Sequence, residues 1–155
     1  MKVNIVPAEN KYLDDCVIAL RKSELGRVYF LEDDKAIKAI DEGISKKEIF
    51  VAVNSEGICL GFIWFILKGA FHSFPYLHII AVKEEFRSMG IGRILLKYFE
   101  DTTLKFSNKV FLVVADFNPK AKELYQRIGY KEIGIIPNLY KKGVNECLMM
   151  KEIEA

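Results

Sequence analysis

An α/β domain built on one mixed sheet is the fold class this sequence predicts, and three observations predict it. The length, 155 residues, suits a single domain with a sizeable core. Apolar runs of high β-propensity alternate with segments of helical periodicity. The strand-like stretch Tyr76–Val82 is followed by a helical pattern and then by "VFLVVA", Val110 to Ala115, an order that requires a right-handed parallel crossover. No repeat, low-complexity segment or linker interrupts the chain, so residues 1–155 are expected to form one domain.

Val3 to Val6 alternates as a short strand, after which Leu13, Cys16, Val17 and Leu20 recur at helical spacing. Ile37, Ile40 and Ile44 mark a second helix, and Glu32, Asp33 and Asp34 ahead of them suit the positive end of its dipole. The same acidic trio would also attract a cationic substrate. "EIFVAVNSEGICLGFIWFIL" reads as two strands hinged at Asn54-Ser55-Glu56-Gly57. The loop "KGAFHSFP" leads into the strand Tyr76–Val82, and the helix after it carries Ile91, Ile94, Leu95, Tyr98, Phe99 and Thr102 on one face. Beyond "VFLVVA" a further helix is punctuated by Asn118 as N-cap, Pro119 in the first turn and Gly129 just past the end. "YKEIGII" and "NECLMMKEI" supply the last two strands.

Charges nearly cancel, 23 Lys plus Arg against 21 Asp plus Glu, and form no basic stripe of the kind that binds nucleic acid. The longest apolar run, Ile58 to Leu67, is well short of the roughly 18 residues of a membrane span. The opening MKVNIVPAEN lacks the pattern of a secretion signal. A soluble, cytoplasmic protein is expected, with neither nucleic acid nor membrane as partner. Cys16, Cys59 and Cys147 are odd in number and in no Cys-x-x-Cys arrangement, which supports neither a disulfide framework nor a thiolate metal site. Each is expected to be a small buried hydrophobe.

The stretch "AVKEEFRSMGIGRILL", Ala81 to Leu96, places two glycines at the mouth of a helix. A helix N-terminus offers backbone N–H groups without intrahelical partners and carries partial positive charge, which suits phosphate. Glycine bends the backbone and lets it approach an anion closely, and Arg87 adds a planar charged fork. The stretch therefore reads as a pyrophosphate cradle, with a plain tight turn as the bland alternative. A P-loop would need Gly-Lys-Ser or Gly-Lys-Thr, and a dinucleotide fingerprint would need glycine where Leu95 stands.

Arg87-x-x-Gly90-x-Gly92, after a strand ending in Val82, resembles the acetyl-CoA loop of the GNAT superfamily of N-acetyltransferases. "NPKAKELYQRIGY", Asn118 to Tyr130, is similar to that family's Asn-led helix, which bears a Leu-Tyr pair and ends in Gly and an aromatic residue. The resemblance extends over essentially the whole chain. It implies the GNAT-like acyl-CoA N-acyltransferase fold, a splayed mixed sheet of about six to seven strands with about four helices, and acetyl-CoA as co-substrate. It further implies that the main chain of Ile80, Ala81 and Val82 meets the pantetheine arm, and that Arg87, Ser88, Met89, Gly90, Ile91, Gly92 and Arg93 hold the pyrophosphate. Their amides would bind, so side-chain identity should matter little at Ser88, Met89 and Ile91. Asn118 would cap its helix and face the pantetheine arm.

The reaction implied is direct attack of a primary amine, on a small molecule, amino acid or peptide, upon the acetyl thioester. An amine of pKa near 10 is mostly protonated at neutral pH and must lose a proton. Alternation puts His78 on the face of Ile80 and Val82, and histidine suits a base at that pH; some members, the arylalkylamine acetyltransferases among them, carry histidine at this position. Asp116 and water remain alternatives. Val113 stands where members that acetylate protein N-termini often have glutamate, which weakens that reading. Tyr125 occupies the position of the family's general-acid tyrosine, although it also lies on the core stripe Ala121, Leu124, Tyr125, Ile128. A non-catalytic acyl-CoA-binding sensor would keep the same cradle. The acceptor pocket implied lies around Arg27, Tyr29 and Phe30 and the loop "PNLYKKG", and a homodimer through the C-terminal strands is compatible with the resemblance.

Overall fold

The computed structural model describes residues 1–153. Its strands are β1 (Val3–Pro7), β2 (Ile49–Asn54), β3 (Cys59–Ala70), β4 (Phe74–Val82), β5 (Lys109–Ala115), β6 (Lys131–Ile136) and β7 (Glu146–Glu152). Its α-helices are α1 (Leu13–Arg21), α2 (Glu24–Tyr29), α3 (Asp33–Ser45), α4 (Ile91–Thr103) and α5 (Pro119–Arg127). The strands form one mixed sheet in the order β1-β2-β3-β4-β5-β7-β6. All pairs whose register is resolved are antiparallel except β4 with β5, which run parallel with Tyr76 opposite Phe111 and Leu77 opposite Leu112. The expected crossover through α4 is therefore present.

Residue contacts divide the chain into two compact units, Met1–Phe65 with Ile79–Phe99, and Ile66–His78 with the chain from Glu100 on. In the first, α1 packs on α3, and Leu20, Ile40, Ile49, Leu60, Phe62 and Ile63 are fully buried. Side chains of this kind contribute about 1.5–3 kcal/mol each. An aromatic cluster joins β2 and β3 to α4: the Phe50 and Phe65 rings stack at 5.3 Å, Tyr98 meets Phe50 at 5.1 Å, and Phe99 meets Phe65 at 5.0 Å. The hairpin hinge forms where expected, with Asn54 Oδ1 accepting the Glu56 and Ile58 amides at 2.9 and 3.0 Å.

Four details differ from the sequence reading. The link after α1, expected as loop around Arg27, Tyr29 and Phe30, contains α2, capped by Ser23 Oγ, which accepts the Gly26 amide at 3.0 Å. Six residues hold too few apolar positions to show a period. The expected loop "KGAFHSFP" shrinks to residues 71–73, because Phe71 and His72 both adopt φ of 56° and turn the chain tightly. On α4, Thr103 is buried in place of Thr102, and Ile94 is exposed. Asn118 precedes α5 as expected, but its side chain makes no capping bond, and its ψ of 62° lies far from the extended value usual at an N-cap.

In the second unit, β7 pairs with both β5 and β6. The Tyr130 hydroxyl donates to Glu100 Oε2 at 3.0 Å while Lys151 Nζ donates to Oε1 at 2.8 Å. The exit of α5 is a Schellman motif: the Tyr130 amide donates to the Tyr125 carbonyl at 2.9 Å, the Gly129 amide to that of Gln126 at 3.2 Å, and Gly129 has φ of 107°. The apolar contact that completes such motifs is made by the Tyr125 and Tyr130 rings, 5.7 Å apart. A Cβ at Gly129 would be strained by the backbone and would press on Lys151 Cε at 3.3 Å. Gly129→Ala is therefore expected to lower the unfolding free energy by about 1–2 kcal/mol, read as a lower denaturant midpoint with an unchanged slope.

Candidate active site

The cofactor-loop residues predicted from the sequence, Ile80 to Arg93, belong to the first unit, whereas His78, Asn118 and Tyr125 belong to the second. Along β4 the side chains of Leu77, Ile79 and Ala81 are buried, while Tyr76, His78, Ile80 and Val82 are half-buried, the alternation expected for His78. After Lys83 a short 3₁₀ turn, Glu84–Phe86, carries the chain to Arg87.

The loop then turns twice through left-handed backbone, at Ser88 (φ 65°) and Gly90 (φ 81°). Ile94 makes the first bond of α4, donating to the Gly90 carbonyl at 3.1 Å. The amides of Ile91, Gly92 and Arg93 precede that bond and have no intrahelical acceptor. A Cβ built at Gly90 or Gly92 would meet nothing within 4 Å, so the space in front of both is open to a ligand. Arg87, Ser88, Met89, Gly90 and Arg93 are exposed. Ile91 corrects the expectation that its side chain is immaterial: it is 2 % exposed and plugs the core beneath the helix start.

The sequence reading missed what holds the loop. Arg87 spans two backbone carbonyls, Nε donating to Val82 at 3.3 Å and Nη2 to Lys22 at 2.9 Å. Two of its five N–H donors are thereby engaged, and three remain for an anion. Lys83 pairs with Asp15, and Lys22 with Glu84 at 3.8 Å. These ties run from the loop back to α1, between residues more than sixty positions apart, and no local pattern announces them. Cys16 and Cys59 are also both buried, and the Cys59 thiol donates to the Gly61 carbonyl at 3.6 Å.

In the second unit Tyr125 is 8 % exposed, and burial pushes its phenol up to about 12. The His78 ring lies 6.3 Å from that of Tyr76. Asp116 is engaged with the end of β7: its amide donates to the Asn145 carbonyl at 2.9 Å and its Oδ2 accepts the Asn145 amide at 3.2 Å. Burial raises the Cys147 thiol, which disfavours the thiolate a nucleophile needs.

The sequence profile of the acetyltransferase (GNAT) family matches residues 15–130. The chain belongs to that family. An uncharacterized N-acetyltransferase of Methanocaldococcus jannaschii is 38 % identical over 79 residues, 48 % of this chain and 51 % of its own. An N-alpha-acetyltransferase of Sulfurisphaera tokodaii is 29 % identical over 111 residues, 64 % of this chain and 66 % of its own. The chain thus spans between half and two thirds of the length of these relatives. The crystal structure of an aminoglycoside 6'-N-acetyltransferase complexed with coenzyme A shares the fold, with a TM-score of 0.76 over 98 % of both chains at 19 % identity.

At the second position of α4, an aspartate favours the helix dipole by about 0.3–1 kcal/mol, yet sets a negative charge in the open space before the amides. Gly92→Asp is expected to leave the melting temperature unchanged or slightly raised, and to abolish the heat of coenzyme A binding in calorimetry.

Proposed function

We propose that this chain transfers the acetyl group of acetyl-CoA to a primary amine of a small molecule, amino acid or peptide by direct attack on the thioester. The observation that carries the reading is the left-handed turn at Gly90 into α4, where a Cβ built at Gly90 or Gly92 meets no described atom within 4 Å. In this reading the amides from Ser88 to Arg93 and the spare donors of Arg87 hold the diphosphate. The main chain of Ile80, Ala81 and Val82 and the side chain of Asn118 accompany the pantetheine arm. The family supports acetyl-CoA as donor.

His78 takes the proton that the acceptor nitrogen must lose, and Tyr125 serves the departing sulfur. A phenol near 12 is a weaker acid than an ordinary thiol, near 8.5, by about 3.5 pKa units, so full proton transfer is uphill by roughly 5 kcal/mol. Tyr125 therefore contributes mainly as a hydrogen-bond donor to developing negative charge, a contribution for which removal of one donor costs on the order of a hundredfold or more in rate.

Release of free thiol from acetyl-CoA across an amine panel tests the proposal. Amine-dependent release supports it. Coenzyme A binding with no release for any amine points to a non-catalytic acyl-CoA sensor, and absence of binding removes the cradle altogether. Tyr125→Phe is expected to lower kcat about a hundredfold while the Kd for coenzyme A stays within twofold; equal activity would take Tyr125 out of the mechanism.

A further inference from the structure

The two ion pairs that join α1 to the chain ahead of α4 are unequal, and the inequality singles out one residue. Lys22 meets Glu84 at 3.8 Å with their side chains 59 % and 60 % exposed, a setting in which solvent leaves little net attraction. Lys83 meets Asp15 with its own side chain only 11 % exposed and that of Asp15 32 %. A cation shielded to that degree is costly to leave unpaired, so Asp15 decides where the Lys83 side chain lies.

Lys83 is also a junction of the main chain. Its amide donates to the Leu60 carbonyl at 2.9 Å, and its carbonyl accepts the Phe86 amide at 2.9 Å, which closes the 3₁₀ turn Glu84–Phe86. That turn delivers Arg87, whose Nε reaches back to the carbonyl of Val82, the residue before Lys83. One residue thus ties α1 through its side chain and both β3 and the turn through its backbone, and the loop into α4 follows directly. Asp15 stands in the first turn of α1 beside Asp14, which is exposed. Both charges suit the positive end of that helix, but Asp15 is the one engaged by Lys83.

We propose that Asp15 is a positioning residue for coenzyme A: through Lys83 it sets the turn that presents Arg87 and the first amides of α4 to the diphosphate. The proposal rests on the acetyl-transfer reading for its ligand, whereas the placement of the turn is a property of the free protein.

The test measures affinity for coenzyme A and for pantetheine, which lacks the diphosphate, together with hydrogen exchange of the Phe86 amide in the ligand-free protein. Asp15→Asn is expected to weaken coenzyme A about tenfold through lost preorganisation, to leave pantetheine unaffected and to speed Phe86 exchange several-fold. Asp15→Glu, which keeps the charge, is expected to restore most of the affinity. Asp14→Asn, which removes only a helix-start charge, is expected to match the wild type. Coenzyme A affinity unchanged in folded Asp15→Asn, or weakened equally for pantetheine, overturns the proposal. The exchanged pair, Asp15→Lys with Lys83→Asp, is expected to bind coenzyme A better than Lys83→Asp alone. Equal weakness of the two would mean that Lys83 grips the anion itself, and would also overturn the proposal. Should Asp15→Asn fail to fold, Asp15→Asn with Lys83→Met, which removes both charges, is read in its place by the same comparison of ligands. Wild-type protein that binds coenzyme A no better than pantetheine would remove the diphosphate reading. Phe86 exchange then decides the positioning alone, faster exchange in Asp15→Asn supporting it and unchanged exchange overturning it.

Discussion

A helix cannot satisfy the amides of its own first turn, and at the start of α4 no described atom lies within 4 Å of a Cβ built at Gly90 or Gly92. The surroundings of residues 87–93 serve that one constraint. Gly90 takes the left-handed conformation that turns the chain into the helix, Ile91 anchors the start from below, and the Phe99 ring packs against Phe65 further along. The segment leading in is tied to α1 by Lys83 with Asp15 and by Arg87 on the Lys22 carbonyl. A loop this close to the surface is thus held by bonds to a helix whose inner face, Cys16, Val17, Ala19 and Leu20, is buried.

Much of this was legible in the sequence, because periodicity and punctuation are local. The alternation of β4, the apolar face of α4 and the Asn54–Gly57 hinge all have spans shorter than the patterns used to find them. The failures are also local in cause. Helix α2 is too short to display a period, and the turn at residues 71–73 uses Phe71 and His72 in a conformation that neither residue type advertises. In the loop before α4, glycine spacing marked the turn into the helix, but the arginine's carbonyl partners were invisible, since Lys22 lies 65 positions away. The burial of Glu146, at the start of β7, was hidden for a related reason. Nothing in "NECLMMKEI" distinguishes a buried glutamate from a surface one.

The segment from Asn118 to Tyr130 shows how one motif can carry two kinds of information. Its terminal Gly and aromatic residue are the two positions a Schellman exit requires, and the aromatic contact is made back to Tyr125 itself. The orientation of Tyr125 is therefore determined by the way the helix stops. Reading the motif as chemistry alone would miss that Gly129 and Tyr130 close the end of α5, while the Asn118 side chain makes no capping bond at its start.

The tethered guanidinium of Arg87 has a thermodynamic consequence for anything that docks on it. A long basic side chain free in solvent surrenders rotamer freedom when it grips an anion, a loss of about 0.5–1.5 kcal/mol. Here the two carbonyl bonds impose that ordering during folding, before any ligand arrives. Under the proposed function, a diphosphate would meet a preorganised planar hook, and more of the contact energy would remain as affinity. A lysine in its place, with a single ammonium to divide between backbone and ligand, would leave the ordering to be done at the moment of capture.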